Sequence, residues 1–133
     1  MTETEVFEKL RAMLVEVLGV RQEQVQMDSV LVEDLGAESI DLLDLSFLIE
    51  QKFGVTLEPD EFEKEARKRI PGGQYEQAGH LTQEALEALR QAMPEVPPDR
   101  FRQGFRKVDV PALLTVRVFV HLIQRKLNGG EKR

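Results

Sequence analysis

Apolar residues recur at helical spacing over residues 3–18. Val6, Leu10, Leu14, Val17 and Leu18 form one stripe, with Phe7 and Met13 beside it, and Gly19 follows as a natural stop. The period is lost over residues 20–38, where Val20, Val25, Val30, Leu31 and Leu35 are scattered among polar positions. That pattern predicts a long loop tacked onto a core, and such loops inside a compact domain are uncommon and often functional. A second helix is expected over 39–53, bounded by Gly36 and Gly54. A third is expected over 59–69, with Pro59-Asp60-Glu61 at its start. Leu43, Leu45, Phe47, Ile49 and Phe53 fill more than one stripe of the second helix. This predicts a central helix buried around much of its circumference.

Ile70-Pro71-Gly72-Gly73-Gln74 is a breaker. Thr82 reads as the N-cap of a helix running through Met93, with Leu81, Ala85, Leu89 and Met93 stepping by four; Pro94, Pro97 and Pro98 end it. Residues 99–110 are basic and read as irregular or short helix. Thr115 caps a last helix over 116–127, with Val116, Phe119, Val120, Ile123 and Leu127 on one stripe and Asn128-Gly129-Gly130 as its stop. Strands have little support. The expected architecture is an all-α helical bundle with a long first connection, a single domain over residues 1–133 whose tail frays from about 128 to 133.

Charge is segregated. Residues 1–63 hold 16 Asp/Glu against 4 Lys/Arg, and residues 64–133 hold 8 against 14, which together give the net −6 of the chain. The acidic half should repel nucleic acid and attract basic protein surfaces. The basic positions Lys64, Arg67, Lys68, Arg69, Arg100, Arg102, Arg106 and Lys107 have few aromatic neighbours (Tyr75, Phe101, Phe105), a poor pattern for nucleic acid. The chain has no cysteine, hence no disulfide and no thiolate metal site. Glu58, Asp60, Glu61 and Glu63 lack the spacing and glycine of a calcium loop, so no metal is expected. The start is acidic where a secretory signal is basic and then apolar, and the 113–123 stretch is broken by Arg117 and His121, far short of a membrane span. The expectation is a cytoplasmic monomer.

The informative stretch is Asp34-Leu35-Gly36-Ala37-Glu38-Ser39-Ile40-Asp41. It resembles the attachment signature of the acyl carrier proteins, roughly D-L-G-A/G-D-S-L-D, and departs from it at Glu38 for Asp and Ile40 for Leu. The resemblance covers residues 3–63 and resumes at Thr115-Val116; residues 64–110 have no counterpart in a minimal member and read as an insertion before the last helix. It implies an acyl-carrier-protein-like bundle with an extra helical insertion. It also implies covalent 4′-phosphopantetheine on Ser39, with Gly36, Asp34, Glu38 and Ile40 around the attachment, and no catalytic residue of its own. The implied partners are a phosphopantetheinyl transferase and acyl-handling enzymes whose basic patches meet Asp41, Asp44, Glu50 and Ile40.

The motif makes sense without the name. A serine at a helix mouth after a glycine turn exposes its hydroxyl to the pyrophosphate of coenzyme A, near free backbone N–H groups. A chain without cysteine must borrow the thiol it needs for thioesters. Against this stands the commonest job of such a serine, an ordinary N-cap. A hydrolase reading is poor: G-x-S-x-G is absent, and only His80 and His121 are available as bases. In the second helix Ile40, Asp44, Phe47 or Leu48, and Gln51 share one face that mixes apolar and acidic groups. The cargo expected is fatty or specialised acyl chains, including those of lipid A; the insertion either widens the interior and adds a private docking surface or is a passive surface excursion that balances charge against the acidic half. The alternatives are an unmodified helical adaptor that binds through its acidic second helix, or a peptidyl or aminoacyl carrier.

Overall fold

Capping chemistry sets the helix boundaries, and apolar stripes set what packs on what. The computed structural model describes residues 1–58, 60–102 and 104–130. The chain falls into two compact units, one made of Met1–Pro59 with Leu114–Arg133, the other of Asp60–Leu113.

In the first unit α1 spans Glu3–Leu18. A reciprocal cap opens it: the Glu5 N–H donates to Thr2 Oγ1 at 3.1 Å, and the Thr2 N–H donates to Glu5 Oε1 at 2.8 Å. That backbone bond to Thr2 holds the Glu5 carboxyl below the usual range. Gly19 closes the helix at φ 70°, a left-handed angle suited to glycine, and donates to Val15 O at 3.0 Å. Helix α2 spans Ser39–Phe53 and ends in the same way at Gly54. Helix α5 spans Val116–Arg125, with Thr115 Oγ1 accepting from the Val118 N–H at 3.2 Å. Both α2 and α5 pack on α1. Their core includes Val6, Leu10, Leu14, Leu45, Ile49, Val116 and Ile123, all at most 2% exposed. Each such side chain contributes about 1.5–3 kcal/mol relative to exposure.

The long connection is pinned rather than loose. After a short turn at Gln22–Gln24, Val25, Val30, Leu31, Leu35 and Ala37 are buried. The segment entering α5 holds it by backbone bonds: Leu31 N–H to Leu114 O at 3.0 Å, Val116 N–H to Ser29 O at 3.0 Å and Arg117 N–H to Met27 O at 2.8 Å. Arg117 adds an ion pair to Asp28 at 3.0 Å.

In the second unit α3 spans Glu61–Lys68 and α4 spans Gln83–Ala92, packed on each other through Phe62, Ala66, Ala85, Leu86 and Leu89. Thr82 caps α4 by accepting from the Ala85 N–H at 3.1 Å. Short turns at Pro98–Arg100 and Lys107–Leu113 fill the basic stretch.

The all-α expectation holds, with particular differences. A two-residue antiparallel hairpin, β1 (Glu76–Gln77) and β2 (His80–Leu81), was not foreseen. Its strands are too short to alternate visibly, and its outer side is held by distant residues, Leu81 N–H to Phe105 O at 2.9 Å and Lys107 N–H to Gly79 O at 3.1 Å. Helix α5 ends at Arg125 rather than 127 and passes into a wider turn, Lys126–Gly130, where the Asn128-Gly129-Gly130 stop was expected. Pro59, expected to open the third helix, and residues 131–133 of the expected frayed tail lie outside the described residues. Helix α2 is not buried on most sides: only Leu45, Ile49 and Phe53 are covered, while Leu43 and Phe47 are 45% and 61% exposed. Among the described residues no helix is long and apolar enough to cross a membrane.

Candidate functional site

The site begins with Asp34. Its Oδ2 accepts from the Val30 N–H at 2.7 Å, and its own N–H donates to Val30 O at 2.8 Å, which folds residues 30–34 into a tight turn. Leu35 and Ala37 then point into the core, and the Ala37 N–H donates to Leu31 O at 2.9 Å. Gly36, between them, reverses the chain at φ 74°, a conformation that costs other residues about 1–2 kcal/mol. No atom lies within 4 Å of where its Cβ would stand, so the backbone angle alone calls for glycine.

From there the chain enters α2. Glu38 is the extended cap residue, and its N–H donates to Asp41 Oδ2 at 2.9 Å. Ser39 is therefore the first helical residue and not the cap, which leaves its hydroxyl uncommitted. That hydroxyl is exposed and makes no side-chain hydrogen bond among the described residues. The first intrahelical bond of α2, Leu42 N–H to Glu38 O at 3.0 Å, lies beyond it. The first-turn N–H groups and the positive end of the helix accordingly lie beside the Ser39 hydroxyl. His121, one of two bases available to a hydrolase, contacts Glu3 Oε2 at 2.6 Å instead.

Past Ser39, one face of α2 is open. Ile40, Leu43 and Phe47 are 64%, 45% and 61% exposed, and Asp44 and Gln51 share the face with them. Asp41 is half-buried, holding the helix start as described. Glu50 is half-buried too, and its Oε2 accepts from the Leu57 N–H at 3.1 Å, so this carboxylate serves the turn after the helix. The structure adds two residues that sequence spacing gave no way to find. Glu16 and Val17, at the end of α1, line a concavity of about 410 Å³ with Asp44, Phe47 and Leu48.

A family model described as a phosphopantetheine attachment site matches residues 8–67. An acyl carrier protein from Petrotoga mobilis is 42% identical over 64 residues, which make up 48% of this chain and 75% of that relative. Acyl carrier proteins from Campylobacter hominis and Thermotoga maritima are 45% and 42% identical over 60 residues, covering 76% and 74% of their lengths and 45% of this chain. The chain belongs to the acyl carrier protein family. Acyl carrier proteins are carriers and not catalysts, and their prosthetic group is covalently attached 4′-phosphopantetheine. The features around Ser39 suit that group: an exposed and uncommitted hydroxyl, a glycine turn before it, and a helix N-terminus able to receive a phosphodiester.

Proposed function

We propose that Ser39 carries the 4′-phosphopantetheine of this acyl carrier protein and that the chain shuttles acyl groups between enzymes of fatty acid or specialised lipid assembly, lipid A among them. The observation that carries this reading is the exposed, uncommitted Ser39 hydroxyl at the mouth of α2. When attached, the group supplies a thiol that holds acyl chains as thioesters, which a chain without cysteine cannot supply itself.

The protein's own residues present and orient. Gly36 and Asp34 fix the turn that leaves Ser39 outermost. In loading, the Ser39 oxygen bonds to phosphorus of coenzyme A as the nucleotide half leaves and the hydroxyl proton is lost. The resulting phosphodiester lies at the positive end of α2, a placement worth about 0.3–1 kcal/mol for an exposed anion. Asp41, Asp44 and Ile40 belong to the partner face, with Glu50 at its edge because its carboxylate also holds the Leu57 N–H, and that face is read by the basic patches of a phosphopantetheinyl transferase and of acyl-handling enzymes. Complementary charge favours fast, weak and salt-sensitive encounters, as a shuttle requires. Within this reading the chain is one cytoplasmic, monomeric carrier in which residues 64–110 are an addition with a docking surface of their own.

Intact mass after incubation with a transferase and coenzyme A tests the proposal. A gain of one phosphopantetheine, absent from Ser39→Ala, is expected. An unmodified wild-type chain would leave an adaptor that binds through α2, and a gain that persists in Ser39→Ala would move the attachment elsewhere.

A further inference from the structure

The second unit ends where the loop before Ser39 is tied down. Leu113 is its last residue and is 1% exposed; Leu114, the next, belongs to the first unit. The Leu114 carbonyl accepts from the Leu31 N–H at 3.0 Å, and the Leu31 carbonyl accepts from the Ala37 N–H at 2.9 Å. Ala37 stands two residues before Ser39. Thr115 pairs with Val30 at the same crossing. On the other side of the junction, Arg100 donates from Nη2 to the Ala112 carbonyl at 3.1 Å, a part-buried contact within the second unit.

Little slack separates these bonds. Between the Ala112 and Leu114 carbonyls the chain has only the soft torsions of two residues, and Pro111 just before them has its φ fixed by its ring. A guanidinium bond to a carbonyl is also stronger than a neutral one. The entrance to the unit is tied elsewhere: Glu50 Oε2 accepts from the Leu57 N–H at the end of α2 away from Ser39. A change within the second unit therefore reaches the serine through its exit.

We infer that Arg100 is a positioning residue for the attachment serine: by holding Ala112 it keeps Leu114 on Leu31, and the second unit thereby sets how firmly the loop before Ser39 is closed. The loop has two states, one closed with the Leu31 and Ala37 amides bonded, the other released with both open to water. Closure and the folding of the second unit favour each other, so the coupling acts in both directions. Whatever binds and stabilises the second unit closes the loop, and whatever loosens that unit releases it. The inference rests on attachment at Ser39 for its bearing on loading, and the coupling itself does not.

Amide exchange in the unloaded full chain tests it, with Arg100→Met set against Arg102→Met, an exposed neighbour. Arg100→Met should quicken exchange at Leu31 and Ala37 about 2- to 30-fold, with Leu10 and Leu14 of α1 unchanged. It should also lower kcat/KM for transferase loading, and Arg102→Met should do neither. Leu89→Ala, which loosens the second unit through its core, should give the same pattern more strongly. Unchanged exchange at Leu31 and Ala37 in Arg100→Met, or equal quickening along α1, would overturn the inference. If Arg100→Met does not fold, Leu89→Ala decides: α4 amides that quicken while Leu31 stays slow overturn it. A wild-type chain that is never loaded strikes at the carrier reading alone, because exchange is read on unloaded protein.

Discussion

The two units differ in how much apolar surface they leave outside, although each holds a buried polar atom without a hydrogen-bond partner among the described residues, Arg11 Nε in the first and the Tyr75 hydroxyl in the second. In the first, large apolar side chains face water: Ile40, Leu43 and Phe47 on α2, along with Met1. Its connecting loop, by contrast, is closely hydrogen-bonded. In the second, Val108 is the one large apolar residue left exposed among the described residues. The Tyr75 hydroxyl there is buried beside the Glu63 carboxylate without a well-formed hydrogen bond among the described residues, and an Arg67 guanidinium lies 4.3 Å from its ring centroid. Burial raises the Tyr75 phenol, with the Glu63 carboxylate adding to the effect, and desolvation raises Glu63 in turn. Apolar surface turned outward is left for water or a partner to cover, whereas a polar group turned inward is a cost carried by the fold.

The sharpest way to break this contrast is a pair of substitutions on α2. Ile49→Ala should lose about 2–5 kcal/mol in denaturant unfolding, as for any fully buried aliphatic. Phe47→Ala should change stability by no more than about 0.5 kcal/mol while slowing transferase loading several-fold. Equal stability losses would mean that Phe47 is core and the face is closed. Next, Asp34→Ala removes the acceptor of the part-buried Val30 N–H and should cost about 1–3 kcal/mol. Amide exchange at Val30 should quicken, with the helices of the second unit unaffected. Gly36→Ala, with open space but a left-handed angle, should cost about 1–2 kcal/mol and slow loading without unfolding the bundle.

The smallest effects belong to the second unit. Tyr75→Phe should change stability by no more than about 1 kcal/mol, since the buried hydroxyl it removes has no well-formed hydrogen bond among the described residues and only the Glu63 carboxylate beside it. Glu63 has a folded pKa above its unfolded one, so its penalty is absent at low pH and grows as pH rises through the two values. The stability of Glu63→Gln relative to wild type should therefore increase from about pH 4 to pH 7. A difference that falls over that range would show that the attraction to Lys107 and Arg67 outweighs desolvation.

Helix ends were the most legible part of the chain, because Gly19, Gly54, Thr82 and Thr115 are local signals that need no tertiary partner. The octapeptide around Ser39 was legible for the same reason. The exposure of Leu43 and Phe47 was not: an exposed apolar stripe and a core stripe have the same spacing, and only the surrounding packing tells them apart. The hairpin at 76–81 was hidden because residues 105–107, far along the chain, hold it in place.

The tie between the attachment loop and residues 114–117 bears on the order of events during synthesis. The strand-like pairing of Val30 with Thr115 joins segments made some 85 residues apart. A growing polypeptide on the ribosome has Ser39 long before it has the segment that braces the approach to it. On the proposed attachment at Ser39, the brace of the serine's approach is completed late in translation, after residues 60–113 have been made.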